Sequence, residues 1–181
     1  MIVSINSEEA ILRCERREIS ILVAREEITI TEAQCAAGEQ VAGPHVHHEH
    51  TDAFYVLEGE LTFELGREAE TIMVSSGGFV AVPAGVAHSL RNGSDRPARW
   101  LTIHAPGGGF AAFMRGVRDG IKVEWDISTV GAGVGLPASK AIISPGGRGR
   151  PGFLTAKSSL ASVGTTGYSS EQPEFIAPGC V

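Results

Sequence analysis

The sequence predicts an all-β chain, a sandwich or barrel of many short strands, and three observations carry that expectation. Turn-forming residues recur at short intervals, at Gly38, Gly43-Pro44, Glu58-Gly59, Gly66, Gly77-Gly78, Pro83-Ala84-Gly85 and Asn92-Gly93. Runs rich in Val, Ile, Phe and Thr fill the spaces between them, as in all-β folds. Leu61-Thr62-Phe63-Glu64-Leu65 alternates apolar and polar residues, as a half-buried strand does.

In chain order the expected strands are Glu18–Val23, Glu27–Thr31, Ala53–Leu57, Leu61–Leu65, Glu70–Val74, Phe79–Val82 and Arg99–His104. Leu57-Glu58-Gly59-Glu60-Leu61 reads as a tight hairpin, with Gly59 free to take positive φ. One helix is expected near 109–119, where Phe110, Phe113, Met114 and Val117 fall at i, i+3, i+4 and i+7 and form one apolar stripe. Gly120 is its stop. The helix is expected to pack on the outside or over one end of the β-core, with its stripe serving ordinary packing.

This divides the chain into a barrel over 1–125 and a Gly/Pro-rich connector with C-terminal strands over 126–181 that pack on the barrel. Ile142-Ile143-Ser144 echoes Ile2-Val3-Ser4, and Ala177-Pro178-Gly179 echoes Ala36-Ala37-Gly38, a weak half-repeat. It carries no second histidine set, so one metal site at most is expected.

With 181 residues and 43% apolar content, the chain can bury the core of one domain. A net charge of −6 without a long basic run argues against nucleic acid as a partner. No stretch approaches the roughly 20 apolar residues of a bilayer span. MIVSINSEEA lacks the basic-then-apolar order of a signal peptide. A soluble cytoplasmic protein is expected. Cys14, Cys35 and Cys180 are odd in number and far apart, so buried or incidental thiols are expected rather than a disulfide framework.

Two stretches hold five of the six histidines, GPHVHHEHTDAFYVLEGE from Gly43 and GGFVAVPAGVAHSLRN from Gly77. On a strand, alternate residues face one side, so His45 and His47 deliver two imidazoles to one face. Asp52 shares the parity of Phe54 and Val56, assigned to the interior. Pro83 and Gly85 make the turn into a new strand, which His88 enters pointing inward beside Leu90. His48 has the opposite parity and is expected in solvent. His50 lies in the turn before Asp52, where a bend would swing it toward a metal. His104 ends an apolar strand, either lining a pocket mouth or serving as a cap or surface residue. Asn92 suits the turn into Gly93 and is read as structural.

These two stretches resemble the paired motifs of the cupin superfamily, specifically its small, quercetinase-like, metal-binding members. The second fits at every fixed position. The first fits in His-x-His and in its closing Gly59, with two departures. Its leading glycine falls on Glu39, with Gly38 one place early, and Asp52 stands where the family has a metal-binding Glu. The resemblance implies a jelly-roll barrel, the double-stranded β-helix. It also implies a metal held by His45, His47 and His88, with Asp52 as fourth ligand or near neighbour and His50 as a further candidate. Asp is shorter than Glu by one C–C bond, roughly 1.5 Å, so Asp52 would ligate directly, act through a water or orient a ligand. Such a site takes Zn, Fe, Ni, Mn or Cu.

Two classes of function follow. One is a metal-dependent enzyme acting on a small oxygen-rich molecule, dioxygenase-like by resemblance, or an isomerase or cyclase, with Asp52 as candidate general base. The other is a non-catalytic module that binds a metal or small molecule. A transcription regulator is disfavoured because no helix-turn-helix or basic surface is visible. Small jelly rolls leave sheet edges open, so a homodimer is expected, with Ile19–Ile30 as a strand for a neighbour's sheet.

Overall fold

In a computed structural model, which describes residues 8–66, 70–130, 142–144 and 154–155, the alternating segments become two antiparallel sheets. The first half supplies β1 (Glu9–Arg13), β2 (Arg17–Ala24), β3 (Thr29–Cys35), β4 (Gln40–Val46), β5 (Thr51–Glu58) and β6 (Glu60–Leu65). Next come β7 (Glu70–Ser75), β8 (Phe79–Val82), β9 (His88–Arg91), β10 (Ala98–Ala105) and the helix α1 (Phe110–Asp119). Short strands β11 (Ser128–Thr129), β12 (Ile142–Ser144) and β13 (Leu154–Thr155) complete the set. One sheet runs β1-β2-β3-β10-β5-β8-β12-β13 and the other β11-β4-β9-β6-β7. The expected all-β jelly roll with one short helix is the fold.

The register places polar and apolar residues as the alternation requires. In β10 every second residue from Ala98 to His104 is buried, and β5 buries Asp52, Phe54 and Val56 while Tyr55 stays exposed. Between the sheets Phe54, Leu61, Phe63, Val80, Leu90 and Trp100 form the main core. Each such side chain contributes about 1.5–3 kcal/mol when removed from water. Asn92, fully buried, donates from Nδ2 to Ala36 O and Arg96 O and accepts from Ser94, so it braces a turn as expected.

Three expectations need correction. Leu57–Leu61 is not a hairpin, because β5 pairs with β10 and β8 while β6 pairs with β7 and β9. The turn carries the chain from one sheet to the other. Gly59 (φ 74°) is required there for a second reason, since a Cβ would lie 2.4 Å from Pro97 O. The arm offered to a neighbour's sheet is instead taken up at home, where β2 pairs with β1 on one side and β3 on the other. Cys35 is a buried free thiol, but Cys14 is disulfide-bonded. Spacing along the chain does not report which segments fold side by side.

Helix α1 forms where its stripe was read and ends on Gly120, in the left-handed conformation. Phe110, Phe113 and Met114 pack with Ile11 and Ile21 into a second core under it. Arg115 and Arg118 pair with Glu9 of β1 at 2.6 and 3.0 Å, pinning the helix to that strand. The chain then turns back closely, with Ile121 N donating to Gly116 O. Only a glycine fits at 116, since a Cβ would meet Val123 Cγ2 at 2.5 Å. This return brings Trp125 against Phe110 and Phe113, and β11 onto β4. Residues 126–130, assigned from sequence to the connector, thus lie on the barrel. In the rest of that segment, β12 pairs with β8; the half-repeat lies largely outside the described residues.

Candidate metal centre

Strands from both sheets converge on one buried cluster. His45 of β4 faces His88 of β9 in register, with ring centroids 4.2 Å apart. His47 follows one residue beyond β4. Asp52 comes from β5, flanked by Val82 of β8 and His104 of β10. His45, His47, Asp52 and His88 each bring one donor atom within 4.8 Å of the others. All four are at least 97% buried.

Backbone carbonyls orient the three imidazoles. The Nδ1 of His45 lies 2.8 Å from Gly43 O, that of His47 2.5 Å from Asp126 O, and that of His88 3.1 Å from Val86 O. A carbonyl only accepts, so each Nδ1 carries the proton and donates. A neutral ring then has a bare lone pair on Nε2. For His47 that lone pair lies 3.1 Å from Asp52 Oδ2, and for His88 3.5 Å. An acceptor aimed at an acceptor in a buried site is unfavourable unless something positive stands between them. His88 Nε2 indeed has no hydrogen-bond partner among the described residues.

The other Asp52 oxygen faces two more imidazoles. Oδ1 is 3.1 Å from His50 Nε2 and 2.5 Å from His104 Nδ1, yet none of the three atoms has a hydrogen-bond partner among the described residues. On its far side His50 Nδ1 donates to Asp126 Oδ2 at 2.9 Å. Asp126 also accepts from the backbone N–H of His48 at 2.8 Å and of Glu49 at 2.7 Å, so it shapes the whole turn before β5.

Burial pushes the Asp52 carboxyl up, but the imidazoles of His104 and His47 outweigh it and hold it well below the usual carboxylate range. Burial, with His88 and His47 nearby, keeps His45 well below the normal imidazole value. His104 is also lowered, by burial against the pull of Asp52. For His50 burial is outweighed by Asp52 and Asp126, and its value rises.

A cavity of about 70 Å³ opens beside the cluster, lined chiefly by apolar side chains including Phe54, Trp100, Phe110 and Met114. Thr31 and Thr102 add polar atoms, and Trp100 Nε1 donates to Thr102 Oγ1 at 3.1 Å. Trp125 covers the cluster, 4.8 Å from both the His47 and His50 rings, and Phe110 lies 3.6 Å from His104.

His45, His47, Asp52 and His88 are therefore brought together, and His48 is exposed as parity required. His50 does turn inward, toward the Asp52 oxygen that faces away from His47 and His88. Sequence reasoning named His104 only as a pocket or capping residue and missed Trp125 and Asp126. Inward parity was the available signal for His104. For Asp126, 76 residues beyond His50, no local pattern pointed to the site.

Residues 32–104 match the family model of the cupin domain. No curated protein matches the chain. Similar solved structures include an uncharacterized conserved protein with a double-stranded β-helix domain from Klebsiella pneumoniae, 20% identical over 59% of this chain and 90% of that one, with a TM-score of 0.48. A predicted oxalate decarboxylase from Thermotoga maritima is 17% identical, over 58% of this chain and 98% of its own, at 0.49. A cupin-superfamily sugar phosphate isomerase from Silicibacter pomeroyi is 22% identical, over 50% and 60%, at 0.46.

Proposed function

Residues 32–104 of this chain are a cupin domain, and from that premise we propose a metal-dependent enzyme acting on a small organic molecule. His45, His47 and His88 hold one divalent transition metal through Nε2, with Asp52 Oδ2 as the fourth ligand. The observation that carries this reading is His47, whose Nδ1 is spent on Asp126 O while its Nε2 faces the Asp52 carboxylate at 3.1 Å. Two ligands with bonds of 2.0–2.1 Å in a tetrahedral set lie about 3.4 Å apart. The 3.1 and 3.5 Å separations around Asp52 Oδ2 fit that spacing, which supports direct ligation despite the shorter side chain. Imidazole and carboxylate donors suit Zn, Fe, Ni, Mn or Cu alike.

When bound, the metal supplies a Lewis acid that polarises a coordinated oxygen. The protein's own contribution is orientation and an apolar setting. Gly43, Val86 and Asp126 carbonyls fix the rings, and Phe54, Trp100, Phe110 and Met114 give the cavity an apolar wall. A substrate would place an oxygen group at the metal and a small apolar body in the cavity. Dioxygenase or isomerase chemistry suits this arrangement. Asp52 as general base is not supported, because both its oxygens already face imidazoles.

Metal analysis of purified protein and of His45→Ala, His47→Ala and His88→Ala tests the centre. Each variant should lose the tightly held ion, and full retention in all three would overturn the reading. The apolar cavity also favours a second reading, a non-catalytic binding module. Azide shifting the optical spectrum of the Co²⁺-loaded protein indicates an open coordination position, as catalysis requires, whereas an unresponsive spectrum favours the module. The protein is further proposed to be a homodimer. Support comes from exposed Met73 and Tyr55 and from β1, the outermost strand of its sheet. Light scattering at micromolar concentration tests it.

A further inference from the structure

We propose that the chain holds a second divalent metal ion at His50 Nε2, His104 Nδ1 and Asp52 Oδ1, joined to the first centre by the Asp52 carboxylate. The two oxygens of Asp52 divide their neighbours cleanly. Oδ2 faces His47 and His88, and Oδ1 faces His50 and His104. The second trio lies within 4.8 Å, and all three of its members are at least 96% buried. His50 Nε2, Asp52 Oδ1 and His104 Nδ1 all lack a hydrogen-bond partner among the described residues. Native proteins satisfy nearly every such buried atom, so three converging on one point indicate something that joins them.

The tautomer of His50 points the same way. Asp126 Oδ2 accepts from Nδ1 at 2.9 Å, which sends the Nε2 lone pair toward Asp52 Oδ1. Carboxylate–histidine pairs of this kind orient imidazoles on metals. Asp126 is itself fixed by the His48 and Glu49 amides. The rings of Trp125 and Phe110 cover His50 and His104, leaving the donors turned toward one another rather than to solvent.

Two donors on one ion with bonds of 2.0–2.1 Å sit about 2.9 Å apart at a right angle and about 3.4 Å apart at the tetrahedral angle. The His50 separation of 3.1 Å matches, and loading would move His104 back from its present 2.5 Å. A shared carboxylate would hold the two ions about 3.5–4 Å apart, as in two-metal sites. No sequence pattern marked this trio, because it is no copy of a motif. It is assembled from a turn, β5 and the end of β10. The inference uses Asp52 in common with the proposed function but does not need the first centre to be filled.

Titration of the chelator-stripped full chain with Co²⁺ alone, followed optically and by elemental analysis, tests it. The wild type should take two equivalents, the second more weakly. His50→Ala and His104→Ala should each take one, keeping the tight ion. Asp126→Asn should raise the Kd of the second ion about 10–100-fold. Mn²⁺-loaded wild type should show an exchange-coupled pair by electron paramagnetic resonance, and His104→Ala an isolated ion. A wild type saturating at one equivalent that folded His50→Ala and His104→Ala both retain overturns the proposal. So does loss of all binding in folded His50→Ala and His104→Ala, which would make one centre of both sets. If His45→Ala and His88→Ala leave the stoichiometry intact while His104→Ala lowers it, the first centre fails and this one stands.

Discussion

His104 stands directly across from Asp52 in the β5–β10 ladder, and its Nδ1 reaches 2.5 Å from Asp52 Oδ1. Opposed residues in an antiparallel pair have Cβ atoms about 4.5–5.5 Å apart. Strand register therefore sets this contact, and the same ladder carries Phe54 opposite Thr102 and Val56 opposite Trp100 into the cavity wall and core. A slip of one residue would turn all of them to the other face.

Asp52→Ala should weaken the tight metal as severely as His47→Ala, by more than the roughly 10–100-fold of an outer-shell change. Asp52→Glu should not tighten it, because the shorter carboxylate already stands 3.1 and 3.5 Å from the His47 and His88 nitrogens and an added methylene would carry it past them. Competition with a calibrated chelator measures both. A mild Asp52→Ala beside a tighter Asp52→Glu would place Asp52 outside the ligand set.

Metal should stabilise the fold, since its ligands meet only in the native state. At a free metal concentration one hundred times Kd, linkage gives about 2.7 kcal/mol. Chelation should lower Tm by several degrees, roughly 2–4 °C per kcal/mol for a chain of this size. Calorimetry with metal content checked before and after is the measurement. An unchanged Tm after proven metal loss would argue against a preformed site.

The clamp of α1 on β1 should weaken in acid. Hydrogen bonds from Arg115, with its charge and that of Arg118, hold the Glu9 carboxyl below its ordinary value of 4.5 against mild desolvation. Its folded-state value is the lower one, so its contribution is present above about 4.5 and is lost as pH falls through the folded value. Glu9→Gln should lower Tm slightly at neutral pH, where the ion pair is intact, and the two proteins should converge as pH falls below 4.5, with the neutral-pH difference shrinking in high salt. A variant with the wild-type acid profile would contradict this.

Cys35 should resist alkylation in the native state. Burial pushes its thiol up, disfavouring the reactive thiolate, and only 3% of the residue is exposed. Iodoacetamide labelling followed by peptide mass mapping should find Cys35 unmodified until denaturant unfolds the chain. Rapid native labelling would show that the core opens locally.

The strands were legible because alternation reports a buried face, and β8 spans the residues that pattern marked, Phe79–Val82. His45, His47 and His88 were legible because parity and spacing act over a few residues. Alternation does not say which strand lies beside which. Leu57–Leu61 reads the same whether its halves pair or part, and only the approach of Pro97 to Gly59 in the fold separates the cases. His104 was half legible, its inward parity being plain and its partner not. Asp126 and Trp125 follow a helix in a segment with no periodicity, so nothing in their neighbourhood marked them.

The return loop after α1 gives the site a division of labour. Every donor of the first centre lies between His45 and His88, within the cupin stretch of 32–104. The groups that aim His47 and His50, and the ring that roofs them, lie outside it, at Asp126 and Trp125. A fragment ending near residue 120 would thus keep the ligands and lose their aim. Affinity at the proposed centre would also become adjustable at a distance, since replacements in the loop would re-aim His47 and His50 without altering the residues proposed to touch the ion.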